Sequence, residues 1–187
     1  MVRRSAILIG VVVVLAGCGN SRTPVQPGSG NTAAGFRTMH YPSVGISLQA
    51  PASWSATSGQ GPLIATFTSG ASVVALWRFP RDVAPPSGQA ALQRARKTLI
   101  HKAVLRDPRL SLIRSNITRV DGAPAIELDA IEHINGRQRR VRSTHVFEPR
   151  AEVVLDAYAP PEAFRSVDHT VFSPLRHSLL LSGTSTA

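Results

Sequence analysis

Hydrophobic and polar positions recur along the chain with two different periods. Residues 36–41 and 44–50 form short alternating runs joined at Pro42-Ser43, and Pro51 and Trp54 close the second run. Period-two alternation places every second side chain on one face, so both runs predict strands. Residues 63–68 and 72–79 are richer in β-branched and aromatic side chains, and Ser69-Gly70 between them predicts a hairpin. Over 89–107 the period lengthens. Leu92, Ala95, Leu99 and Ala103 recur at three- and four-residue steps, while Arg94, Lys97, His101 and Lys102 fall elsewhere on the wheel. This predicts a helix opened by Pro85-Pro86-Ser87 and ended by Pro108.

Strand character returns at 110–120, with Asp121-Gly122 as a turn. Over 125–134, Ile126, Leu128 and Ala130 alternate with Glu127 and Asp129, which puts the two carboxylates on the expected wet face. Asn135-Gly136 is the strongest hairpin signal, because both residue types tolerate positive φ. It sets Ile134 opposite Arg137 and His133 opposite Gln138. Residues 138–147 and 153–158 complete a meander. Pro160-Pro161-Glu162 opens a last helix with Phe164, Val167, Val171, Leu175 and Leu179 on its apolar face. The late connections are too short for parallel crossovers, so the sheet is expected to be antiparallel. Strand runs separated by helices predict an α+β fold with helices packed on the sheet.

The N-terminus reads as an address. Arg3 and Arg4 precede an apolar run over 6–15, too short for the roughly 20 residues that span a bilayer. Leu15-Ala16-Gly17-Cys18 then resembles a bacterial lipoprotein lipobox. Only a thiol can take the diacylglyceryl group as a thioether, and the single cysteine of the chain stands at that position. The resemblance implies a signal peptide at 1–17, cleavage before Cys18 and lipidation of Cys18. The protein is then anchored to the extracytoplasmic face of a cell membrane rather than threaded through it. Residues 18–35 continue as the lipidated cysteine and a tether. Twelve of the seventeen residues in 19–35 are Gly, Pro, Ser, Thr or Asn. Such a chain spans about 23 Å as a random coil. One domain is expected at 36–181, followed by a polar tail at 182–187.

Composition narrows the classes. At 43% hydrophobic and 17% charged, the chain has material for a core and is not disordered as a whole. One cysteine excludes an internal disulfide and a cysteine-based zinc cluster. The net charge is +10, and losing residues 1–17 with Arg3 and Arg4 leaves +8.

Several phrases carry a wider resemblance. Tyr41-Pro-Ser-Val-Gly-Ile-Ser-Leu-Gln-Ala-Pro51 with Trp54, Val120-Asp-Gly-Ala-Pro-Ala-Ile126, and Ala157-Tyr158-Ala159 leading to Phe164, Phe172 and Leu175 are similar to the opening hairpin, central turn and closing strand and helix of the PsbP-like α/β/α sandwich. That family includes photosystem II PsbP, a Ran-binding protein and actinobacterial lipoproteins of the LpqN type. Nineteen arginines against two lysines suit a GC-rich genome of the actinobacterial kind. The resemblance implies protein binding or an accessory role in the envelope, with no shared catalytic residues.

The chain shows no nucleophile elbow, no H-E-x-x-H and no P-loop. Its histidines show no pair at metal-ligand spacing on one helix face, so no catalytic residue, cofactor or metal is expected. The candidate for binding is basic. Arg137, Arg139, Arg140 and Arg142 lie within six residues beside the hairpin tip, two pointing to each face. Such a forked donor array suits phospholipid heads, phosphorylated glycans or an acidic protein. Export makes nucleic acid an unsuitable partner. The sequence thus reads as a non-enzymatic envelope lipoprotein that docks on another protein. The alternative is a binder of an envelope lipid or glycan in a groove between sheet and helices.

Overall fold

Phe36–Tyr41 (β1) and Ile46–Pro51 (β2) pair antiparallel from Phe36 opposite Pro51 to Tyr41 opposite Ile46. A 3-10 turn at Pro42–Val44 joins them, closed by Gly45 at a φ of 67°. The computed structural model describes residues 35–182. The leader at 1–17, Cys18, the tether up to residue 34 and the tail at 183–187 lie outside the described residues.

Beyond β2 come Ser55–Ser58 (β3), Leu63–Ser69 (β4), Ser72–Pro80 (β5), the helix Gly88–Arg106 (α1), Ser111–Val120 (β6), Ala123–Ile134 (β7), Arg137–Phe147 (β8) and Ala151–Ala159 (β9). A helical segment interrupted by a π turn follows: Pro161–Val167 (α2), a π-helical turn at Asp168–Phe172, and Ser173–His177 (α3). Leu180–Leu181 (β10) ends the described chain's elements. The strands form a seven-stranded sheet, β3-β4-β5-β9-β8-β7-β6, and a three-stranded sheet, β1-β2-β10. Every pairing is antiparallel. From β5, α1 carries the chain to the far edge at β6, and the meander β6 to β9 returns to β5.

The large sheet is covered on both sides. On one face, Val74, Leu76, Ala125, Val146, Val153 and Leu155 pack against Ile46, Leu48 and Ala50 of the small sheet and against Phe164, Phe172 and Leu175 of the C-terminal helices. On the other, Leu92, Ala95, Leu99 and Ile100 of α1 lie on Ile126, Leu128 and Phe147. This is the expected α+β architecture. The Asn135-Gly136 hairpin has φ values of 52° and 73° and the expected register, with Ile134 opposite Arg137 and His133 opposite Gln138.

Three features depart from the sequence reading. Glu127 and Asp129 are not on a wet face: both are buried, Asp129 to 1% exposure, because the C-terminal helices cover that side of β7. The small sheet adds β10, two residues long and without a periodic signal. The last helix is not a regular α-helix throughout. Pro174 has no N–H and its ring would collide with the carbonyl four residues back. The π turn widens the spacing there, and the Ser173 N–H reaches the Asp168 carbonyl.

Candidate functional site

The arginines of β8 and the carboxylates of β7 meet on the face covered by α2 and α3. Pairing sets Asp129 opposite Arg142 on one side and opposite Arg114 of β6 on the other. Arg140 grips Asp129 through two hydrogen bonds, Nε to Oδ1 and Nη2 to Oδ2, each 3.0 Å. Arg114 Nε lies 3.3 Å from Asp129 Oδ2, and Arg142 Nη2 lies 3.6 Å from the same oxygen. Glu127, one pleat along, faces Arg142 and Arg176 at 3.7 Å each. Arg142 Nη1 also donates to Asp168 in the π turn, and Ser173 Oγ donates to the same carboxylate at 3.2 Å. The ring of Phe164 lies under Arg140, 4.8 Å from its guanidinium carbon, with Arg142 at 5.6 Å. The hydrogen bond to Asp129 raises the Arg140 pKa further, against the opposing effect of burial.

The sequence-predicted patch is therefore divided. Arg137 is exposed. Arg139 is buried on the opposite face, across the ladder from Glu132. Arg140 is half-buried and Arg142 buried, both held by carboxylates. Direction along the strand is as expected, two to each face, but the four guanidinium groups do not form one free surface. Their partners Asp129, Glu127 and Asp168 lie at least eleven residues away, so a local reading of the arginine run could not find them. Chemically, four arginines and three carboxylates at this site tie β6, β7 and β8 to the C-terminal helices. The Nε atoms of Arg142 and Arg176 are buried without a hydrogen bond. Beside them is a cavity of about 10 Å³, lined by Arg142, Thr144, Phe172 and Arg176 among others, room for one water.

A second polar row lies on the α1 side. Ser143 Oγ is 3.1 Å from His145 Nε2, and His145 Nδ1 is 2.5 Å from Glu152 Oε1. These distances match a serine–histidine–acid relay, but the proton count does not. The one hydroxyl proton of Ser143 is directed at Asp156 Oδ1 at 2.5 Å, so it is not placed for transfer to His145 Nε2. Arg81 closes the row on Glu152 at 3.2 Å. Ser143 pairs with Leu128 on one side and Asp156 on the other. Mid-strand backbone N–H groups are held in the ladders and cannot stabilise an oxyanion. The cavity beside Ser143, under Ile100 and Ala103 of α1, is also about 10 Å³.

Two further groups fix the ends of the sheet. Asp107, after α1, accepts the His133 N–H at 2.7 Å and the Arg109 N–H at 3.0 Å, with His133 Nδ1 at 3.3 Å. Burial pushes its pKa up, but these donors outweigh burial and hold it below the usual aspartate value. Burial raises the Glu148 carboxyl, and Arg78 at 3.7 Å opposes that only in part. No helix among the described residues is long and apolar enough to cross a membrane.

Neither a protein-family model nor a curated protein matches the sequence. Solved structures do resemble the fold. Cyanobacterial PsbP (CyanoP) from Synechocystis sp. PCC 6803 aligns with a TM-score of 0.56 at 14% identity, covering 84% of this chain and 98% of that one. LpqN of Mycobacterium tuberculosis, involved in cell envelope biogenesis, aligns with a TM-score of 0.56 at 15% identity, covering 79% and 90%. A Pseudomonas aeruginosa protein of unknown function gives 0.50 at 14%, covering 79% and 97%. Identities this low speak to the fold alone, and the chain has the PsbP-like α/β/α sandwich fold.

Proposed function

We propose that the chain is a lipid-anchored, non-enzymatic accessory module on the outer face of a bacterial cell membrane, and that its domain docks on another envelope protein. The observation that carries this reading is Leu15-Ala-Gly-Cys18 after a short apolar run, with the only cysteine of the chain at the position that chemistry requires. Support comes from the small size of two interior cavities among the described residues. The cavities beside Arg142 and Ser143 each have room for one water, and the polar side chains around them are held by one another. The likeness to LpqN, a protein involved in cell envelope biogenesis, agrees with an envelope setting.

The test is the N-terminal peptide of protein purified from membranes. It should begin at Cys18 and carry the mass of a diacylglyceryl thioether, and Cys18→Ala should keep residues 1–17. An unmodified Cys18, or an unchanged N-terminus in the variant, would overturn the reading.

A further inference from the structure

Four of the seven exposed large apolar side chains among the described residues lie within ten positions, Val104, Leu105, Leu112 and Ile113. They occupy one end of the molecule, where the tight turn at 107–110 leads from α1 into β6. Leu105 is 67% exposed and follows His101 and Lys102 by four and three residues, so the three share the outer face of the helix. The ladder to β7 skips Ile113, which sits at a bulge between Leu112 and Arg114, and a bulge re-aims its side chain away from the sheet.

The surroundings are cationic. Between residues 83 and 119 there are eight arginines and lysines and one carboxylate, Asp107, which is itself buried. Arg96, Arg106, Arg114 and Arg119 reach protein acceptors. Lys97 and Lys102, the only lysines of the chain, stand exposed on α1 with Arg94. An apolar tip beside a cationic helix face fits two partners, an acidic protein or an anionic lipid surface. Protein interfaces favour aromatic residues at their centres and disfavour lysine. The apolar residues of this patch are all aliphatic and lysine stands beside them, which suits an interfacial membrane contact better.

We infer that the α1–β6 end of the domain is the face that lies on an anionic phospholipid surface, with Leu105 and Ile113 reaching into the headgroup layer. The inference rests on the lipoprotein reading for the nearness of a membrane. A random coil of seventeen residues, the length expected between Cys18 and the domain, would span about 23 Å against a domain radius of gyration of about 15 Å, so on that reading surface chemistry selects the face.

The experiment uses acylated full-length protein in vesicles of phosphatidylglycerol or of phosphatidylcholine. A nitroxide is placed at Leu105→Cys or, at the opposite edge of the large sheet, at Thr57→Cys on β3. In phosphatidylglycerol the 105 label should become accessible to lipid-dissolved oxygen and shielded from a water-soluble relaxant, while the 57 label stays aqueous. Each cation near an anionic surface strengthens attachment roughly fivefold, so Arg94→Gln, Lys97→Gln and Lys102→Gln together should cut the immersed-to-aqueous ratio by about a hundredfold. Salt at 1 M, where screening shortens to about 3 Å, should do the same. A 105 label that is aqueous on both vesicles overturns the inference and returns the patch to an acidic protein, and so does equal immersion of the two labels. A protein unacylated at Cys18 would take a second label there, so failure of the anchor and failure of the patch are read separately.

Discussion

Asp129→Ala should destabilise the domain more than any substitution on its outer surface. The carboxylate is 1% exposed and faces three guanidinium groups, with both oxygens hydrogen-bonded to Arg140. Arg114 is 52% exposed at its side chain and can turn to water, so its share is under about 1 kcal/mol. Arg140 and Arg142 cannot escape as easily, since Phe164 lies under both and Asp168 holds Arg142. Removing one partner of a buried pair costs about 3–5 kcal/mol. Arg142 keeps Glu127 and Asp168, which places the expected loss near the lower end, about 3 kcal/mol. For a domain of this size that lowers Tm by about 6–12 °C. Asp129→Asn keeps one acceptor oxygen and should lose about half as much. The assay is denaturant unfolding at low salt and at 1 M salt. A buried pair is weakly screened, so the loss should persist at high salt. A loss below about 1 kcal/mol, or one that vanishes in salt, would refute the view that the hairpin arginines are held inside the fold.

Other consequences follow from single groups. Asp107 has a depressed pKa in the folded state, so its contribution is present above the ordinary aspartate value and is lost as pH falls through the folded one. Asp107→Asn should cost about 1–3 kcal/mol at neutral pH, and the difference from wild type should shrink in acid unfolding curves below about pH 4. Glu148 has the opposite sign: its raised pKa means that folding favours the protonated form, an advantage lost as pH rises through the folded value. Glu148→Gln should therefore raise Tm at neutral pH and have little effect in acid. Gly136 has a φ of 73° with open space where a Cβ would stand, so Gly136→Ala should cost about 1–2 kcal/mol from backbone strain alone, measured by thermal unfolding.

What was legible in the sequence is what local chemistry decides. Asn135-Gly136 set the register of β7 and β8 to the residue, and Pro108 follows the end of α1 closely. The period of Leu92, Ala95 and Leu99 found the face of α1 that meets the sheet. The rest depends on what lies across space. Alternation at Glu127 and Asp129 cannot distinguish a layer of water from a layer of guanidinium groups, and Arg176 and Asp168 come from another element. For the same reason a run of arginines at 137–142 looked open to a partner on both faces when tertiary packing buries Arg139 and Arg142. Ser55–Ser58 carries no apolar alternation at all, since the whole strand is an exposed edge. The cationic apolar tip at 104–113 had a signal in Leu105 and Ile113, but only the helix direction and the bulge show that both face outward.

The most direct test of an accessory, protein-docking role is cross-linking in intact cells followed by mass analysis of the adducts. A discrete adduct with a second envelope polypeptide, formed through the folded domain, is the expected result. Adducts to lipid or glycan alone, with no polypeptide partner, would contradict that role and favour a ligand-binding groove.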